Sequence, residues 1–333
     1  MSTLTPPRPD TVTAAPSALR GPVRVLLRAH RKVLWAGAAL LVIGIGIVVA
    51  LRAWMASAKE LCADGDITPC GGPIYQPSYA RTSSETFLAE GGTMLLLLAG
   101  LIGVFVAGPL IARELESGTF RPAWTQSVSP AHWLAARLAV PAALAVIGLT
   151  ALIAVYRWGL WAFRGYPHSY LTRPYDSGIF PGTGPAVLGY ALLAVAVGAL
   201  CAVLVRRTLA AVSLTVVVLG AVGLALATWR YLLWPTVLRT GPGAVDIGAN
   251  AWEVDMGMIT ASGERLYWED CSSADMTQNI DACMRDRGAV GYFAEYHPLS
   301  HYWPLQLVET GILLALAALV AFAAFRVLRR LHG

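Results

Sequence analysis

The chain has 333 residues, of which 56% are hydrophobic and only 14% charged, with a formal net charge of +5. An ordinary soluble domain carries roughly 25% charged residues, so this composition excludes a water-soluble globular enzyme and points to a bilayer. The only lysines are Lys32 and Lys59. Neither stands in a G-x-x-x-x-G-K-[ST] loop, so the chain is not expected to bind or hydrolyse a nucleotide itself, and no nucleic-acid partner is expected.

Residues 1–19, rich in Thr, Pro, Ala and Ser, have too little apolar content to fold and are read as a disordered leader. Order is expected from Gly21-Pro22, proline suiting a first helical turn. Over residues 20–33, Arg20, Arg24, Arg28 and Arg31 fall on one helical face, with Val23, Leu26, Leu27, Val33 and Leu34 on another. Such a segment fits an amphipathic cytoplasmic helix lying in the interface, and equally a basic flank to the first span.

Windows of about 20 apolar residues, the length that crosses a hydrocarbon core of about 30 Å, occur at residues 34–52, 93–112, 134–156, 185–205, 209–229 and 305–325. They predict an all-α polytopic membrane protein of six transmembrane helices: spans 1–5 within residues 34–234, and span 6 with a basic tail in 305–333. Ala56-Ser57-Ala58 looks like a signal-peptidase site, but the preceding apolar run exceeds the 7 to 15 residues usual for a cleaved signal, so the first span is read as retained.

Lys and Arg near span ends stay on the cytoplasmic side. With the N-terminus inside, cytoplasmic segments hold 14 basic residues against three acids, Asp10, Glu114 and Glu116, while the external loops hold 11 basic residues and 16 acids. Both termini are therefore expected in the cytoplasm, in a multi-pass plasma-membrane protein. Cysteine usage agrees, because disulfides persist on the oxidising side. Cys62 and Cys70 fall in the first external loop, and Cys271 and Cys283 in the last. Of the three pairings open to four cysteines, the local ones, 62 with 70 and 271 with 283, are preferred, and free thiols remain an alternative. Cys201 lies within a span, as a small apolar packing residue.

The inner loop at 113–130 carries the most informative polar pattern. An apolar run ending at Ile111 leads into Arg113-Glu114-Leu115-Glu116, and Ser117-Gly118-Thr119 interrupts it. The two glutamates are two apart and diverge on a helix. Ser129-Pro130 then reads as N-cap and first turn, with Trp133 expected at headgroup level. This is an elbow presenting carboxylates and hydroxyls to the cytoplasm, or else an ordinary polar loop. The loop at 157–184, with Tyr166, Pro167, Tyr170, Pro174, Tyr175 and Pro181, suits a chain lying on a membrane surface. The largest external piece, 235–304, contains a predicted hairpin of Trp252–Thr260 and Glu264–Trp268 around Ala261-Ser262-Gly263. About 70 residues bury little core, so this piece should lean on the spans or on a partner.

Two features bear on chemistry. Glu309 enters the last span, where a charge is costly and suggests function, or a carboxylate answering Arg52 or Arg230. His297 and His301 are four apart, but no third ligand stands at metalloenzyme spacing, and Pro298 disfavours a helix start there; no metal site is expected. An intramembrane enzyme would require Glu309 and the two histidines to converge.

Arg113 through Arg121 and Ala123 through Ser129, followed by Trp133-Leu134, resemble the segment after the second span in membrane subunits of ATP-binding-cassette exporters, and are most similar to permeases common in high-GC Gram-positive genomes. Arg28-Ala29-His30-Arg31 before the first span, and Tyr296 through Gln306 with Glu309-Thr310-Gly311 opening the last, extend the resemblance over nearly the whole chain. It departs at His301, where a basic residue is expected before the aromatic. The resemblance implies a six-helix half-transporter that dimerises with a second permease copy and contacts membrane lipids. It also implies two separately encoded ATPase subunits that supply the ATP and Mg. It makes Glu114, Glu116, Gly118, Thr119, Arg121 and Trp124 candidates for ATPase coupling, and Arg24, Arg28 and Arg31 candidates for a connecting helix that touches the ATPase. A second reading is a membrane scaffold or sensor whose external loop binds a ligand.

Overall fold

The structure, a computed structural model, describes residues 28, 31–57, 79–119, 129–163, 172–271 and 280–332. The expected leader, Arg24, the Cys62 and Cys70 loop, the elbow residues Arg121 and Trp124, and Tyr166, Pro167 and Tyr170 lie outside the described residues.

Six helical stretches among the described residues are long and apolar enough to cross a membrane: Arg31–Ala56, Tyr79–Ser117, Pro130–Trp161, Ala186–Val205, Thr208–Leu233 and Leu299–Arg330. Each overlaps one predicted window. Span 1 is the single helix α1 (Arg31–Ala56). Span 2 is longer than its apolar window because a polar helix, α2 (Tyr79–Ala89), precedes α3 (Gly91–Leu101). The hydroxyl of Ser84 on α2 donates to the Leu51 carbonyl of α1 across 3.3 Å.

Span 2 then widens into a π-helical segment, Ile102–Ala107, before α4 (Gly108–Ser117). Pro109 has no N–H to return to the preceding turn, and the Gly108 N–H instead reaches the Gly103 carbonyl five residues back. The bulge lies where the backbone meets α7 (Ala186–Val205) most closely. A Cβ on Gly103 would come within 2.3 Å of the Ala194 carbonyl oxygen, and one on Gly198 within 2.6 Å of the Gly103 carbonyl. Close approach through glycine is how helices associate where no hydrophobic drive separates lipid from protein. Helix α7 is the centre of the bundle, 78% of its apolar window being buried. Around it pack span 2, α5 (Pro130–Trp161), α8 (Thr208–Trp229) and α10 (Tyr302–His332).

Between spans 3 and 4 the chain returns through a short helix, α6 (Phe180–Thr183). Between spans 5 and 6 it forms an antiparallel sheet of β1 (Val237–Gly241), β2 (Trp252–Thr260), β3 (Arg265–Leu266) and β4 (Ala289–His297), in the order β1-β4-β2-β3. The all-α expectation is corrected here, the molecule being mostly helical with a sheet. The predicted hairpin is present, with Gly263 at φ 87° in its turn, but the sheet is organised by β4, whose nine residues pair with β2 on one side and β1 on the other. Cys271 is bonded to Cys283 of the short helix α9 (Ile280–Asp286), and with Met258, Leu266 and Met284 it makes a small core. Cys201 is buried and free. The sheet leans on the spans through Tyr175, Phe180, Tyr302 and Leu305, against which Trp252 and Leu233 pack.

Candidate functional site

Two polar constellations interrupt the apolar bundle, one where spans 2, 3 and 5 end beside the elbow and one beneath the sheet. At the elbow, α4 stops at Gly118, whose φ of 72° is the left-handed conformation that glycine adopts at helix C-termini. The Ser117 hydroxyl donates to the Arg113 carbonyl at 2.7 Å and shares a 3.0 Å hydrogen bond with Thr119. Helix α5 begins as predicted, the Ser129 Oγ accepting the His132 N–H at 3.3 Å and Pro130 filling the first position.

The two glutamates do diverge, but each is engaged within the chain. Glu114 pairs with Arg137 of α5, and its Oε2 accepts the Trp133 Nε1–H at 3.1 Å. The Arg137 guanidinium lies 4.2 Å over the Trp133 ring. Trp133 is 2% exposed, and its indole N–H has a carboxylate to satisfy it where it packs. Glu116 reaches the start of span 5, where its Oε2 accepts both the Thr208 N–H at 3.0 Å and the Thr208 hydroxyl at 2.7 Å. Helix α8 has no side-chain cap of its own, so a carboxylate from another span satisfies one of its orphan donors and meets its positive end. The turn before it holds Arg206 at φ 55°, the one non-glycine residue with positive φ among the described residues.

Thr208, Arg137 and Arg206 were not predicted as site residues. Arg206-Arg207-Thr208 between two apolar runs was the available signal, but the sequence does not give its proximity to Glu116. The exposed groups left at this end include Arg113, Thr119 and Arg206. Of the connecting-helix candidates, Arg28 and Arg31 are exposed.

Beneath the sheet, Glu309 of α10 is fully buried and forms a two-point ion pair with Arg230, Nε to Oε2 at 2.8 Å and the second guanidinium nitrogen to Oε1 at 3.0 Å. The Tyr190 hydroxyl of α7 donates to Oε1 at 2.7 Å, and the guanidinium lies 4.8 Å over the Phe180 ring. Of the two arginines the sequence offered, Arg230 answers Glu309; Arg52 donates to the Trp158 carbonyl and stacks 4.0 Å over that indole. Arg230 and Tyr190, but not Glu309, line a cavity of about 820 Å³ together with Arg173, Tyr175, Asp176, Asp246 and Trp252. Burial raises the Asp176 carboxyl above its ordinary range, against the Arg173 N–H it accepts.

His297 packs on Trp252 of the cavity lining, and neither His297 nor His301 joins Glu309. Their Nδ1 atoms are 3.2 Å apart and His297 Nε2 is 3.0 Å from the Tyr231 carbonyl. His301 ends the turn that precedes α10 and Glu309 lies eight residues further on, roughly 12 Å along the span. Both Glu309 oxygens are taken by Arg230 and Tyr190. The convergence an intramembrane enzyme would need is therefore not formed, and no group of three metal-binding side chains occurs among the described residues.

Over residues 31–230 the chain matches the family described as ABC-2 membrane transporter related. Neither the curated proteins nor the solved structures give a match.

Proposed function

Because this chain belongs to the ABC-2 membrane transporter related family, its match covering well over half of its length, we propose that it is the permease subunit of an ATP-driven exporter. In this reading the permease is worked by a separately encoded ATPase that docks at the 113–130 elbow. A multi-pass membrane component of this family stands in an ABC transporter context. The further steps, export, ATPase coupling at this elbow, pairing with a second copy and residence in the plasma membrane, are the proposal.

The observation that carries it is the bracing of the elbow. Glu114 ties span 2 to Arg137 and Trp133 of span 3, and Glu116 ties it to the start of span 5. A push on the elbow is thus delivered to three spans at once, which a loose polar loop would absorb. Charge-assisted bonds of this kind are about twice as strong as neutral ones. Glu114 and Glu116 therefore act as struts, while Thr119 and Arg121, with Trp124, Gly118 and the neighbouring Arg206, form the docking face. ATP and Mg are bound by the partner. The cargo path is placed at the cavity beneath the sheet, where Arg173, Arg230, Tyr190, Asp176 and Asp246 supply polar contacts.

The test is a mild-detergent purification of the tagged protein from its native membrane, with co-purifying proteins identified and ATP hydrolysis assayed. The wild type is expected to bring down an ATPase. Arg121→Glu should lose it without lowering the permease's own unfolding temperature. Glu114→Ala/Glu116→Ala should retain the ATPase but lose transport-linked stimulation and unfold at lower temperature. If no ATPase accompanies the wild type, the exporter reading fails and the sensor reading takes its place.

A further inference from the structure

The histidine pair where the sheet meets the spans has a proton inventory fixed by its partners. A carbonyl oxygen only accepts, so the 3.0 Å contact to Tyr231 makes His297 Nε2 a donor. A neutral His297 then has a lone pair at Nδ1, which takes the Nδ1–H of His301 across 3.2 Å. His301 is half-buried and can accept a proton at Nε2 without disturbing that bond. A second proton, on His297, sets N–H against N–H and the bond cannot survive. His297 has no exposed surface on which to solvate that charge.

The pair joins three elements: Tyr231 in the turn Arg230–Leu233 that ends span 5, His297 at the end of β4, and His301 in the turn Leu299–His301 that starts span 6. Trp252 packs on His297 at 5.4 Å between ring centroids and on Tyr175 at 5.7 Å, and both aromatics line the cavity. The groups around the pair are otherwise settled. On β4, Glu295 is held by Thr236 at 2.5 Å and by Arg265 at 2.9 Å. In the span 5 turn, Arg230 is neutralised by Glu309. From the 172–179 segment the Tyr175 hydroxyl donates to the Pro298 carbonyl at 2.6 Å, and Trp252 on β2 carries no charge.

We propose that the His297–His301–Tyr231 cluster is an acid-released clasp that holds the sheet down over the cavity, and that acidification of the sheet's side of the membrane unfastens it. Burial lowers the His297 proton affinity in the closed form, outweighing the Tyr231 carbonyl that raises it, and His301 lowers it further, whereas a released His297 in water titrates near 6.5. The clasp is therefore fully stabilising above about pH 6.5 and is lost as pH falls below it, the release equilibrium shifting by about tenfold per pH unit while one extra proton is bound on opening. That this side faces outward, and that the cavity lies on the cargo route, rests on the exporter reading. The clasp itself does not.

The test uses the full-length protein in lipid nanodiscs without any ATPase, so its outcome is independent of that reading. Hydrogen exchange is measured at pH 7.5, 6.5 and 5.5 and corrected for intrinsic rates, over peptides covering 230–237 and 289–301. The expected result is less than about a twofold loss of protection from 7.5 to 6.5 and about a fivefold loss from 6.5 to 5.5, with no pH step in His297→Asn, whose amide oxygen still accepts from His301. Nitrogen-15 spectra of labelled histidines in the wild type should show His297 as the Nε2–H tautomer at pH 7.5, with its midpoint below that of a free imidazole. Protection that does not change between 6.5 and 5.5, or a His297 midpoint at or above the ordinary value, overturns the proposal even if His297→Asn fails to fold.

Discussion

Glu309 and Arg230 show how a charge is retained in an apolar bundle. Removing either partner of a buried ion pair leaves the other without compensation, at a cost of roughly 3–5 kcal/mol, while replacing both by apolar groups of similar size is often neutral. Glu309 has an additional donor in Tyr190, and Arg230 has the Phe180 ring, so the two halves differ in what they leave behind. Arg230→Met strands a carboxylate with only a phenol to answer it. Glu309→Gln strands a guanidinium that can still lie on an aromatic face and borrow the amide oxygen. Thermal unfolding in detergent should rank Arg230→Met as the more destabilising single change, by roughly 3 kcal/mol or more. Arg230→Met/Glu309→Leu should recover most of that loss. Strictly additive single and double variants would mean that the two side chains do not form one unit.

At the scale of elements, periodicity and length gave all six spans, because a hydrocarbon core imposes a minimum apolar run that composition reveals directly. The helix start at Ser129-Pro130, the break at Gly118 and the β2–β3 hairpin were legible because capping and turn chemistry are local. What local rules could not give was partnership. Glu116 lies 92 positions from Thr208 and Glu309 79 from Arg230, and β4 pairs with strands on both sides of it only because the 237–297 segment closes on itself. The π segment at Ile102–Ala107 belongs to this class too. It is adjacent to Pro109, yet its purpose lies in α7, which brings Ala194 and Gly198 against it. Gly103→Ala is therefore a test of the packing at an element level. The added methyl would lie 2.3 Å from a backbone oxygen of α7, and backbone cannot rotate away as a side chain can. Overpacking of this kind costs about 1–3 kcal/mol. Gly100→Ala, on the same span with nothing within 4 Å of the added atom, should be neutral or slightly stabilising, since alanine is the better helix former. Equal effects of the two in unfolding experiments would show that the bulge does not carry the close contact.

For the whole molecule, the charge distribution makes a prediction of which end faces which compartment. Arg113, Arg206, Arg207, Arg326, Arg329 and Arg330 are all exposed, at span ends or in the final turns of α10 that the positive-inside rule assigns to the cytoplasm. The sheet and the bonded Cys271–Cys283 pair follow span 5, and a disulfide persists on the side where oxidation is sustained, which is the expected place of the sheet. Two independent forces, retention of cations and persistence of a disulfide, therefore predict one orientation. A membrane-impermeant maleimide applied to intact cells should label Val290→Cys, whose native side chain is 62% exposed on β4, and should leave Thr119→Cys at the elbow unlabelled until the membrane is opened. Both are compared with the wild type to subtract any reaction of its own cysteines. The reverse pattern would put the elbow outside, beyond the reach of any cytoplasmic ATPase, and would remove the mechanical argument for the Glu114 and Glu116 struts together with the acid-facing placement of the histidine clasp. The expected pattern would leave the proposed struts where ATP is available and the proposed clasp where external acid can reach it.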